Sequence, residues 1–126
     1  MSNNNDWDYL VSVLPDNFND KKIEYSEAVN WSHSNLSHKN VLKLTLEDVY
    51  LLDKKVLDII NTENNSMIGP FEDDWIHSRE VQQNILNKLR IYISSCQIDR
   101  EILILNEMIR LFEVAIKSNH FIYFLF

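Results

Sequence analysis

Between Gly69 and Val81 the chain reads GPFEDDWIHSREV, which gathers Glu72, Asp73, Asp74, His77 and Glu80 around Trp75. Asp73 and His77 stand four residues apart, a spacing that places both on one face of a helix, where Glu72, Asp74 or Glu80 would add oxygen ligands. The chemistry open to that set is metal-assisted catalysis. A catalytic zinc site commonly takes three protein ligands and an open position, however, and here one histidine sits among acids with no H-E-x-x-H and no cysteine pair. Acids ahead of a helix also serve its dipole. The stretch is therefore read as holding no metal, no cofactor and no catalytic residue, in a protein that is not an enzyme. A metal-dependent enzyme built on His77 and its neighbouring carboxylates is the alternative.

Other reactive groups lack company. His33 and His38 are separated by SNLS, a spacing that matches neither a helical face nor a zinc pair, and His120 reads as a buried imidazole or a helix-end cation. Cys96 is the sole cysteine, so no internal disulfide forms, and its place at the end of an apolar face reads as core. There is no G-x-S-x-G, and a single glycine cannot build a phosphate loop or a dinucleotide fingerprint.

Charge gives a stronger lead. Nineteen acids against twelve Lys and Arg leave a formal charge of −7, and the stretches Met1 to Asp20 and Glu63 to Ser78 each hold four acids and no base. Such a balance repels phosphate backbones and anionic lipid, which argues against nucleic acid and membrane as partners and for a basic protein. Trp75 beside Glu72, Asp73 and Asp74, and Trp7 interleaved with Asp6 and Asp8, repeat one composition: a flat amphipathic ring bordered by carboxylates that accept bonds from Arg or Lys. Glu72, Asp73, Asp74 and Trp75, with Asp6, Trp7 and Asp8, are the expected partner-binding residues.

The elements that must position them follow from periodicity. Val49, Leu52, Val56 and Ile59 recur at steps of three and four, predicting a helix over 46–61 with a Thr45/Asp48 capping box. Val81, Ile85, Leu89 and Ile93 predict a second over 79–95, started by Ser78 or as early as Pro70. Ile102, Leu105, Ile109, Phe112 and Ile116 predict a wide central helix over 99–118, with Asp99 as N-cap and Asn119 as a left-handed stop. A short helix is expected near 24–31, and DWDYLVSVLP is read as a helix ended by Pro15, although its alternation also suits a strand. Scarce glycine favours helices over tight β turns. The expectation is a single all-α domain over 1–126, a bundle of four to five helices with a flexible start at 1–5; the alternative is α+β, with a small sheet from 41–44 and 121–126.

The amino terminus lacks the basic and apolar regions of a secretory signal, so a cytoplasmic protein is expected. In size, acidity, absence of a signal and absence of a catalytic motif, the chain resembles the small cytosolic immunity proteins of contact-dependent growth inhibition and related polymorphic toxin systems. That resemblance implies a stoichiometric inhibitor of a cognate toxin, often a nuclease, whose acidic surface occupies the basic active-site cleft. A monomer is expected on this reading. A helical oligomer or phage-type structural protein is a further alternative, since the wide last helix and aromatic tail offer apolar surface to copies of the chain.

Overall fold

The closing run FIYFLF is apolar throughout because it lies in the middle of a sheet covered on both faces. The computed structural model describes residues 9–126. Its elements are β1 (Tyr9–Ser12), α1 (Tyr25–Ser34), β2 (Val41–Leu44), α2 (Leu46–Leu52), α3 (Val56–Asn64), β3 (Asp74–Ile76), α4 (Arg79–Ile93), α5 (Asp99–Ser118) and β4 (Ile122–Leu125). The four strands form one antiparallel sheet in the order β2-β1-β4-β3.

Alternation along the two central strands divides the interior. Val11, Ile122 and Phe124 face the side packed by α2 to α5, where Val49, Leu57, Ile85, Leu105 and Phe112 are fully buried. Leu10, Tyr123 and Leu125 face the other side, covered by α1 through Ala28 and by Leu14. There the Ser32 hydroxyl donates to the Ala28 carbonyl at 2.8 Å and meets the Ser12 hydroxyl at 2.7 Å, which gives both buried groups a partner.

The fold is thus α+β, and the all-α expectation is corrected. Glycine scarcity misled because these strands are joined by helices and long loops rather than by tight hairpins. Where the backbone does turn left-handed, Asn65, Phe71 and Asn119 carry the positive φ. DWDYLVSVLP contributes the strand Tyr9–Ser12 and not a helix, since Leu10 and Ser12 face one layer while Val11 faces the other. The segments 41–44 and 121–126 do supply β2 and β4, but β1 lies between them.

The single helix expected over 46–61 is two. Thr45 and Asp48 form the capping box of α2, and the chain then breaks across Asp53 to Lys55. The break rotates the apolar face, so Ile60 rather than Ile59 enters the core with Val56 and Leu57. α4 starts after Ser78, whose hydroxyl accepts from the Val81 N–H, and not at Pro70. α5 spans the expected residues and stops on left-handed Asn119 at φ 60°, but its N-cap is Ile98, with Asp99 already in the first turn.

Candidate functional site

The acidic run Glu72, Asp73, Asp74 leads into β3, an edge strand, and not into a helix. It is delivered by a tight turn in which the Glu72 N–H bonds the Gly69 carbonyl at 2.9 Å, with Pro70 and Phe71 at the corners. These are the features of a type II turn, which favours glycine at its third position; here Phe71 holds φ 68° and remains 64% exposed. Its ring meets Tyr9 edge-on, with centroids 6.2 Å apart, which offsets part of the strain.

Strand alternation then separates the acids. Asp73 and Trp75 lean toward α1: the Tyr25 hydroxyl donates to Asp73 Oδ2 at 2.8 Å, and the Tyr25 ring lies 5.2 Å from Trp75 and 6.2 Å from Tyr123. Burial, then the hydrogen bond to Asp73, pushes the Tyr25 phenol well above its ordinary range. Asp74 Oδ1 instead accepts the Trp75 N–H at 2.8 Å, while Asn64 of α3 donates to the Trp75 carbonyl at 3.2 Å. Both backbone groups of Trp75 are thereby occupied, which blunts this sheet edge against strand addition.

Tyr25 also brings the start of α1 to the site. Glu24 and Glu27 flank it, with Glu27 Oε1 accepting the Glu24 N–H at 3.1 Å. On the other side Asp53 Oδ1 lies 3.7 Å from where a Cβ on Gly69 would sit, and Gly69 pairs with Glu72. One surface therefore runs from Asp53 through Glu72, Asp73 and Asp74 to Glu24 and Glu27, around Trp75 and Tyr25. None of these six carboxylates forms an ion pair among the described residues. Elsewhere Glu63 pairs with Lys88, Glu113 with Arg90, Asp48 with Arg100 and Glu107 with Arg110.

Of the expected contact residues, Glu72, Asp73 and Trp75 are exposed and Asp74 is half-buried, all in one place. Asp6, Trp7 and Asp8 lie outside the described residues. Tyr25, Glu24, Glu27 and Asp53 were missed. No periodic pattern joins α1 to residue 73, although a tyrosine framed by glutamates has the same aromatic-acid composition as Glu72 to Trp75.

His77 follows β3 and sits before α4, so the helix that would have set it beside Asp73 does not form. Its ring instead lies 5.9 Å from Phe121. Among the described residues no group of three or more His, Cys, Asp or Glu side chains is placed to hold a metal ion. The buried histidine is His120, whose Nδ1 meets Asp20 at 2.5 Å and whose Nε2 meets Asp16 at 2.9 Å, while Tyr123 donates to Asp20 at 2.9 Å. Cys96 donates to Glu101 at 3.1 Å, and burial followed by that carboxylate pushes its thiol up, away from nucleophilic use. Among the described residues no helix is long and apolar enough to cross a membrane.

No family model matches the chain, and no curated protein does. Among solved structures it is similar to the Neisseria DNA mimic protein DMP12, with a TM-score of 0.74 and 21% identity over 94% of this chain and 99% of that one. At this identity the shared property is the α+β fold. The expected partner, a cognate toxin, is corrected by this likeness, which is to a DNA mimic protein. The physical reason is that negative charge and aromatic anchors select a basic counterpart without specifying what the counterpart does.

Proposed function

We propose that the protein is a non-enzymatic DNA mimic, whose carboxylates stand in for phosphates and occupy the DNA-binding surface of a basic protein. The observation that carries this is the set of six carboxylates, Glu24, Glu27, Asp53, Glu72, Asp73 and Asp74, which have no cationic partner among the described residues and lie around exposed aromatic surface. Trp75 and Phe71 supply the apolar contact that charge alone lacks. The likeness of the fold to a DNA mimic protein points the same way.

The test is competition. Increasing amounts of the protein are added to complexes of labelled duplex with a panel of DNA-binding proteins, and free duplex is followed by anisotropy. Release from at least one member is expected, weakening as salt is raised and lost in the E72Q/D73N/D74N variant. A complex holding protein, partner and duplex together, or release that the triple variant reproduces, overturns the proposal.

A further inference from the structure

Beside the acidic surface lies an open cleft of about 950 Å³ whose lining inverts the sign of the molecule. Lys21 enters from the loop before α1, Arg79 from the start of α4 and Lys117 from the last turn of α5. Among the described residues none of the three side chains forms an ion pair or donates a hydrogen bond. The two acids of the lining are held differently: Asp20 is buried against His120 Nδ1, while Asp16 meets Nε2 and stays 85% exposed, so the lining sets three cations against two acids.

Lys117 suits the negative end of a helix dipole, and a lysine on an exposed loop needs no explanation. Arg79 is different: in the first turn of α4 it lies at the positive end of the dipole, where a cation is disfavoured. With Lys21, Arg79 and Lys117 on its lining from three separate segments and none of them paired, the cleft can accept an oxyanion, and a guanidinium matches phosphate well. The same cleft offers aromatic surface, with the His77 and Phe121 rings 5.9 Å apart and tilted 58° to each other in its wall. Its volume lies within the range of about 300–1,000 Å³ that small-molecule sites occupy.

We propose that this cleft binds a phosphate-bearing small molecule with a flat ring, of the mononucleotide class. Its phosphate is held by Lys21, Arg79 and Lys117, and its ring lies against His77 and Phe121. This site is separate from the acidic surface and does not rest on the mimic reading.

The full chain is titrated with a nucleoside monophosphate, with inorganic phosphate and with the uncharged nucleoside, following backbone amide resonances. The monophosphate is expected to saturate with shifts at Lys21, Arg79 and Lys117, phosphate alone to bind about tenfold more weakly, and the nucleoside not to bind. R79Q and K117Q each weaken the monophosphate several-fold, R79K less so, with unchanged thermal melts showing that the variants fold. The E72Q/D73N/D74N variant binds it like the wild type, which keeps this result apart from the competition assay. No saturation by ~10 mM, equal binding by wild type and R79Q/K117Q, or equal binding of phosphate and monophosphate overturns the proposal.

Discussion

Asp20 and Asp73 both accept a hydrogen bond from a tyrosine hydroxyl, yet they occupy opposite settings. Asp20 is buried, shared between Tyr123 and His120; Asp73 is exposed, with Tyr25 alone for company. Asp48 resembles the first: its side chain is 7% exposed, it caps α2 and it receives a two-bonded grip from Arg100 at 2.9 and 2.7 Å. Glu72 and Asp74 resemble the second. Net charge counts all of these acids alike, while the structure divides them into those that hold the fold and those left to face outward.

If the division holds, substitutions should separate stability from binding. The largest loss is expected for Asp20→Ala, which strips the acceptor from two buried groups and should cost about 3–5 kcal/mol in urea unfolding. A loss under 1 kcal/mol would place Asp20 with the outward set.

Asp48→Asn comes next, at about 2 kcal/mol. The Arg100 hydrogen bonds hold the Asp48 carboxyl below its ordinary value of 3.8, so the folded state binds this proton less readily than the unfolded chain. The stabilisation is therefore complete above about pH 4 and is lost as pH falls through the lower folded value. Urea midpoints at pH 7 and pH 3 should converge between wild type and variant; a constant gap contradicts the assignment.

Tyr25→Phe probes the link between the sets and should cost ~1 kcal/mol, the worth of its hydrogen bond to Asp73. The phenols carry an alkaline counterpart. Burial, then Glu101, pushes Tyr92 up to about 12, and burial raises Tyr25 and Tyr123 as well. Each stabilises fully below pH 10 and loses that contribution as pH rises through its folded value. Unfolding followed by phenolate absorbance should show the wild type weakening above pH 10, and Tyr25→Phe weakening less.

The smallest change in stability is expected for the E72Q/D73N/D74N variant, within ~0.5 kcal/mol of wild type, because no ion pair is broken and the Asn amide oxygens still accept from the Tyr25 hydroxyl and the Trp75 N–H. The same variant should lose duplex release. A large stability loss with competition intact would reverse the comparison.

Much of the helical frame is legible in sequence. The Thr45/Asp48 box, Ser78 as a cap and Asn119 as a stop are local signals, and the structure uses each of them. The sheet is not legible in the same way. Four short strands drawn from distant parts of the chain have only three or four residues each in which to show a period. A break such as Asp53 to Lys55 is invisible when the apolar rhythm continues across it with a shifted face. The acidic surface was half legible: Glu72 to Trp75 are contiguous, whereas Tyr25 joins them only through the packing of α1 on the sheet.

Pairing of Leu10 with Leu125 has a consequence for biosynthesis. As the polypeptide emerges from the ribosome, β1 must wait for β4 before it can take its inner neighbour, and β3 likewise depends on that strand. Helices formed earlier hold their apolar sides uncovered in the interval, so the newborn chain is exposed to misassociation until synthesis reaches β4.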